Sequence, residues 1–351
     1  MFSFTPSRDQ GDAVLNLRKL LSPRIDPADF RHDLQRLQRM SSACLAGCPP
    51  PWPAPGLLLS AEDHYQSELW LPLAEIRPAF QRLYRAALAY PPILSSTPFA
   101  DACGWAAIVS AMPPHICCSA DPARLLEQLL ADRILREKFL FWSFMPQRFY
   151  GDGSERYPEQ SAFLDRWLAE RHRGAGRLRC LDAACGAGAG TYGLALKLLE
   201  CGWEKERFSI EGWTLDPLEA WSAAHAAFPH DPAQEAFFRR WTAPFFEQAD
   251  GLSLIFRQAD LLQPPEAESC FDLILCNGWI GGPILHETCQ LRLAIENLTT
   301  LLAPGGLLLA ADHFHGGWKK RTPVENLCEL LGECGLQVSE AGEGIGGLKP
   351  D

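Results

Sequence analysis

The sequence predicts an α/β fold: a doubly wound, mostly parallel sheet preceded by a mainly α-helical N-terminal region. Three observations predict it. From Arg177 onward, short apolar runs alternate with helical stretches, and strands spaced by helices pair in parallel with helices on both faces. Before about Glu170 the apolar spacing is helical and strand-like runs are scarce. A glycine-rich turn at Gly186, Gly188 and Gly190 joins the first predicted strand to a helix, at the edge where such sheets bind ligands. The expected division is 1–145 for the helical region and 146–351 for the sheet domain.

The N-terminal elements follow from spacing and start signals. "PADFRHDLQRLQRM" places Phe30, Leu34, Leu37 and Met40 on one helical face. "AEIRPAFQRLYRAALAY" and "DPARLLEQLLADRILREKFLFW" repeat the habit, the second entered through Asp-Pro. Between them "CPPPWPAPG", Cys48 to Gly56, supports neither helix nor central strand and reads as a stiff extended connector. The helical region is expected to be a lid, a substrate-selecting domain or a structural cap.

In the sheet domain the first strand is "RLRCLD", followed by a helix over about Gly190 to Cys201. "FSIEGWTLD" leads to helical "PLEAWSAAHAAF", and "LSLIFRQAD" and "FDLILCN" are the next strands. A helix across "ETCQLRLAIENLTTLL" passes through a Pro-Gly-Gly turn at 304–306 into "LLLAAD"; "VENLCELLGECG" and "LQVSEA" complete the series. Right-handed crossovers bring the strand-to-helix loops to one carboxyl edge.

Composition narrows the function classes. The chain has 351 residues, 47% hydrophobic and 21% charged, with net charge -11. That balance argues against a general nucleic-acid binder, which needs a basic face for phosphates. No basic n-region with an apolar h-region opens the chain and no apolar run is long enough to span a bilayer, so a cytoplasmic protein without membrane insertion is expected. The 13 cysteines show no paired zinc knuckles and read as reduced, mostly buried thiols. The oligomeric state is left open.

The glycine turn discriminates among ligands. Asp182 ends the strand and "AACGAGAGT" follows. Glycine permits φ > 0 and removes Cβ, so a ligand can approach the backbone. A dinucleotide fingerprint needs glycine or alanine at 191, where this chain has Thr191, and a phosphate loop needs a lysine well before Lys197.

The segment resembles the first motif of class I S-adenosylmethionine-dependent methyltransferases, in which an acid ends strand 1 and a G-x-G-x-G loop passes beneath the cofactor. The resemblance implies a Rossmann-like sheet and S-adenosyl-L-methionine as cofactor. It places Asp182, Ala183, Gly186, Gly188 and Gly190 against the methionine and ribose portions. It makes Asp216 the acceptor of the ribose hydroxyls, and sets Asp260 and Leu261 against the adenine. Asn277, ending the fourth strand, joins the cofactor-binding residues, and the loop after it lies near the transferring methyl. Asp216 also stands ahead of Pro217, where an acid caps a helix, and both roles fit it.

Within that class, "AACGAGAGTYGLAL", "FDLILCNGWIGG" and, more faintly, "QRFYGDGSERYPEQSAFL" are similar to segments of the chemotaxis-type (CheR-like) protein-glutamate methyltransferases. The chain departs from them at four places. Ala189 and Gly190 stand where those enzymes carry an acidic pair, Gly151 where the entry motif has arginine. The arginine before Asn277 and the tyrosine after it are absent. The resemblance therefore implies the methyl donor and leaves the acceptor open, as a small molecule or a protein side chain, carboxylates included.

Candidate acceptor-side groups are Tyr150, Asn277, His313 and His315. The histidines alternate in "ADHFHGGW" and read as loop residues, a base, or metal ligands lacking a third partner; no metal is expected. Tyr192 reads as a packing residue, and Trp213, Trp241, Trp279 and Trp318 as core aromatics or walls of an apolar pocket. Two rival functions stand beside methyl transfer: a non-catalytic cofactor-binding scaffold, and an NAD-dependent oxidoreductase, whose glycine spacing Thr191 breaks.

Overall fold

The computed structural model describes residues 1–47, 53–117, 119–145, 156–172, 176–248, 251–265, 268, 270–282, 285–312 and 322–351. The chain divides into two compact units: 10–149 with 228–236, and 1–9, 150–227 and 237–351.

The first unit is helical. Its elements are α1 (Gln10–Leu20), α2 (Arg31–Gly47), α3 (Ala61–Trp70), α4 (Leu73–Ala87), α5 (Pro98–Asp101), α6 (Trp105–Ala111), α7 (Pro122–Ala131) and α8 (Arg133–Phe144). The run predicted from Asp121 as one helix is two. Asp132 turns out of the helix, and its carboxylate accepts from Ile134 N and Leu135 N to start α8, the capping geometry that aspartate favours over helix interior. The core is aromatic. Tyr84, Phe80, Phe99, Trp105 and Phe139 are fully buried together, and their polar ends are satisfied: Tyr84 donates to Ser143 at 2.8 Å and Trp105 to Ala120 O at 2.7 Å. Of the Cys48–Gly56 connector, only 53–56 lies within the described residues.

The second unit carries one eight-stranded sheet. Its strands are β1 (Ser3–Phe4), β2 (Leu178–Asp182), β3 (Phe208–Thr214), β4 (Ser253–Gln258), β5 (Phe271–Leu275), β6 (Leu302–Ala310), β7 (Gln337–Ala341) and β8 (Gly344–Leu348). The helices are α9 (Pro158–His172), α10 (Ala189–Glu200), α11 (Pro217–His225), α12 (Pro232–Trp241, of which 237–241 belong to this unit), α13 (Ala243–Gln248), α14 (Thr288–Leu301) and α15 (Val324–Glu333). The order is β1-β4-β3-β2-β5-β6-β8-β7, with β4, β3, β2, β5 and β6 parallel. From β2 the chain winds outward to β3 and β4, then returns to β5 on the other side. The strand order thus reverses between β2 and β5, opening a crevice at their carboxyl ends. This is the doubly wound Rossmann-like arrangement.

β2 is buried except at Arg179, as a central parallel strand is expected to be. α14 and α15 cover one face through a cluster that includes Leu181, Ile274, Ile295, Leu298, Leu308 and Leu327. Two strands had no counterpart in the sequence reading. β1 adds antiparallel to β4, and its two residues are too short to show a period. β8 adds antiparallel to β6 and β7. Its "GIGGL" is glycine-rich because neighbours press on the backbone: a Cβ on Gly344 would lie 2.4 Å from Ala310 O, and one on Gly347 2.8 Å from Leu336 Cδ1. The Pro-Gly-Gly turn is a bulge inside β6, where pairing steps from Phe271–Leu302 to Leu273–Leu307. Lys349 pins it by accepting from Gly305 N at 2.9 Å and donating to Gly306 O at 3.0 Å. Among the described residues no helix is long and apolar enough to cross a membrane.

Candidate functional site

The carboxyl ends of β2, β3, β4 and β5 deliver Asp182, Asp216, Asp260 and Asn277 to one edge of the sheet. Ladder-like bonds continue beyond the strands and fix the loops. Ala183 N donates to Leu275 O at 2.7 Å, Cys185 N to Trp213 O at 2.9 Å and Ala259 N to Thr214 O at 2.9 Å.

The three glycines have different tasks. Gly186 has φ +49, and beyond its chain neighbours no atom lies within 4 Å of where a Cβ would stand, so its half-buried backbone borders open space. Gly188, at φ +88, is the N-cap of α10; a Cβ there would meet Ala223 Cβ at 2.8 Å and Phe256 Cε1 at 2.9 Å. Its smallness serves packing against α11 and β4. At Gly190 a Cβ would lie 3.0 Å from Asp182 Oδ2. A side chain there would crowd that carboxylate.

Asp182 is buried, 5% exposed. Thr191 Oγ1 donates to its Oδ2 at 2.7 Å, and the backbone of Ala184 bonds it as well. Burial dominates and pushes the carboxyl up to about 6, against the opposing effect of those bonds. Thr191, which breaks the dinucleotide spacing, is thus the residue that holds Asp182.

Asp216 is buried and caps α11, its Oδ1 accepting from Leu218 N at 2.8 Å. The capping role is therefore real, and a ligand would meet the carboxylate already oriented. One turn on, Glu219 accepts from Thr214 Oγ1 and is pushed up to about 7, first by burial and then by Asp216. Burial, Asp182 and Glu219 in turn push the Cys185 thiol well up. Asp182, Cys185, Asp216 and Glu219 therefore form one acid-rich group beside the glycine loop. Sequence reasoning missed Glu219. The signal was its N3 position behind an N-cap aspartate, where a capping-box acid stands.

Asp260 makes a turn, accepting from Leu262 N at 3.0 Å and Gln263 Nε2 at 3.3 Å. Leu261 is buried in the core cluster. Both border a cavity of about 530 Å³ that Trp213 and Leu215 also line. Asn277 is paired amide to amide with Gln160 of α9: it donates through Nδ2 at 2.8 Å and accepts from Gln160 Nε2 at 3.2 Å. Glu343 fixes that end of α9 by accepting from Glu159 N and Gln160 N. Tyr150, Gly151, His313, His315 and Trp318 lie outside the described residues. Tyr192 is a packing residue, buried among Phe238, Phe245 and Phe256 with its hydroxyl donating to Ala223 O at 2.8 Å. Trp241 packs on Phe238, and Trp279 on the α14 cluster. Among the described residues no His/Cys/Asp/Glu group can hold a metal, and the described cysteines form no disulfide.

No family model and no curated protein matches the chain. It is similar to solved structures of S-adenosylmethionine-dependent methyltransferases. One, from Methanosarcina mazei, is 14% identical, with 52% of this chain and 96% of that chain covered and a TM-score of 0.36. The N-methyltransferase NodS from Bradyrhizobium japonicum, solved with S-adenosyl-L-homocysteine, is 20% identical over 56% of this chain and 90% of its own, with a TM-score of 0.35. The [4+2]-cyclase SpnF is 20% identical over 61% and 71%, with a TM-score of 0.33.

Proposed function

We propose that the chain transfers a methyl group from S-adenosyl-L-methionine to an acceptor that is a small molecule or a protein side chain. The observation that carries the reading is the convergence at one sheet edge of Asp182, the open backbone at Gly186, and the oriented carboxylate of Asp216. The donor set suits the cofactor. Asp182 and Glu219 would meet its cationic methionine end, Asp216 would accept from its ribose hydroxyls, and Asp260 with Leu261 would border its adenine. Charged acceptors contribute about 1.5–3 kcal/mol per hydrogen bond. The cofactor supplies a methyl already activated on a sulfonium sulfur. The residues of this chain orient it and exclude water, positioning that lowers a barrier by about 7–11 kcal/mol. A carboxylate acceptor needs no base there, whereas an amine or hydroxyl needs one.

Isothermal titration with S-adenosylmethionine, S-adenosylhomocysteine and NAD tests the donor. Binding of both sulfur ligands and not of NAD is expected; failure of both ends the reading. A second reading, a non-catalytic cofactor-binding scaffold, is favoured by one observation: the acceptor-side amide of Asn277 is closed in a reciprocal pair with Gln160. Labelled-methyl transfer to a panel of amines, carboxylates and proteins separates the two.

A further inference from the structure

In the helical unit, α3 carries its polarity the wrong way round. A helix on a protein surface buries its apolar stripe and turns its polar side to water. In α3 the buried residue is Ser67, whereas Tyr65 is 60% exposed and Leu69 58%. Four residues apart, Tyr65 and Leu69 stand one above the other on a single face. Ala61 and Glu62, the other exposed residues of the helix, fall on the same side by the helical period. The approach to the helix continues the exposure: Leu57 is 39% and Leu58 96% exposed ahead of the N-cap Ser60.

The helix that presents this face is anchored from its other sides. Ser60 closes a capping box with Asp63. Glu68 accepts from Trp105 N at 3.1 Å and from Leu73 N at 3.2 Å, and Trp70 packs on the backbone of Gly47 in α2. Tyr65 and Leu69 are therefore held outward by a fixed element.

Charge decides what fits there. Between Arg39 and Arg77 the sequence has no lysine or arginine, while Glu62, Asp63, Glu68 and Glu75 are acids. Glu62 lies one turn before Tyr65; its carboxylate accepts from Gln66 Nε2 at 2.8 Å and meets no cation among the described residues. Such a rim repels an anionic lipid or nucleic-acid surface, and a second copy of a chain with net charge -11 would bring the same acids to the contact. A helix whose apolar stripe is flanked by lysine or arginine complements both the stripe and the acids.

We propose that the exposed face of α3, with Leu57 and Leu58, is a docking surface for a basic amphipathic helix of a partner protein. Tyr65 and Leu69 are its apolar anchors, and Glu62 takes a flanking cation. This surface is independent of the methyl-transfer reading.

Fluorescence anisotropy of a labelled Leu/Lys amphipathic helical peptide with the full chain, beside its Leu/Glu counterpart at physiological salt, tests it. Saturable binding of the Leu/Lys peptide alone is expected. Tyr65→Ser combined with Leu69→Ser should weaken it about tenfold or more, and Glu62→Lys about tenfold. Leu293→Ser, at an exposed leucine of α14, should leave it unchanged; thermal melts confirm that the variants fold. Absence of saturable binding, equal binding of the two peptides, or an unchanged affinity in the double variant, which would mean attraction to net charge alone, overturns the proposal. A dimer in sedimentation velocity that the double variant dissolves assigns the face to a second copy and ends the inference. Attachment to phosphatidylcholine vesicles that the double variant loses assigns it to a membrane surface and ends it likewise.

Discussion

Thr191 Oγ1 donates a 2.7 Å hydrogen bond to Asp182 Oδ2, joining the first turn of α10 to the end of β2 beneath the glycine loop. Both groups are buried. Thr191→Val keeps the shape and removes the donor, so stability should fall by about 1–3 kcal/mol in urea unfolding. Thr191→Ser should recover most of it. The bond also holds the carboxyl down against burial, so S-adenosylmethionine binding by the valine variant should need a higher pH. Unchanged stability in Thr191→Val would remove this bond from the architecture of the loop.

The two positive-φ glycines of the 186–190 loop should separate packing from ligand approach. Gly188→Ala combines left-handed backbone strain, about 1–2 kcal/mol, with overlap on Ala223 and Phe256, typically about 1–3 kcal/mol more. Gly186→Ala has the strain without the overlap. Gly186→Ala should therefore be the more stable variant, and should still lose S-adenosylhomocysteine affinity through its new Cβ. The reverse order of stability would show that the open space at Gly186 is filled in solution.

Asp216 tests cap against contact. Asparagine caps a helix about as well as aspartate, so Asp216→Asn should leave stability within about 0.5 kcal/mol. Exchanging a charged acceptor for a neutral one should weaken cofactor binding about tenfold. Asp216→Ala loses both and should cost about 1 kcal/mol of stability besides. Equal affinities for wild type and Asp216→Asn would leave only the capping role.

These residues also mark how far the sequence could be read. Strand ends and helix starts were legible at Asp182, Asp216 and Asp260, because apolar period and capping chemistry are local. The smallness of Gly188 looked like ligand clearance, and only tertiary contact with Ala223 and Phe256 assigns it to packing. Glu219 was passed over because its significance lies in Thr214 and Asp216 facing it across a turn. β8 was illegible because its glycines answer neighbours distant in sequence, Ala310 and Leu336.

Asp182 and Glu219 set a pH dependence. Their carboxyls are pushed up to about 6 and about 7, from ordinary values of 3.8 and 4.5. Between those limits the folded chain holds protons that the unfolded chain has released, so their contribution to stability falls as pH rises. It is full below about pH 4 and lost by about pH 7. Urea unfolding of wild type and Glu219→Gln from pH 4 to 8 should give a difference that grows in favour of the variant up to about pH 7, then levels. A difference independent of pH would mean that Glu219 titrates normally.

The amide pair of Gln160 and Asn277 decides whether Asn277 is free for an acceptor. Its two hydrogen bonds, at 2.8 and 3.2 Å, tie α9 to the end of β5. If pairing is its whole role, Gln160→Ala and Asn277→Ala should destabilise equally, with a double-mutant coupling of about 1 kcal/mol, and should alter methyl transfer alike. If Asn277 also faces the acceptor, Asn277→Ala should lower kcat beyond Gln160→Ala while leaving S-adenosylhomocysteine affinity unchanged. Gln160→Ala, by freeing the amide, should then lower KM for the acceptor while it lowers stability. Identical kcat in the two single variants would confine Asn277 to holding the helix and take it out of the site.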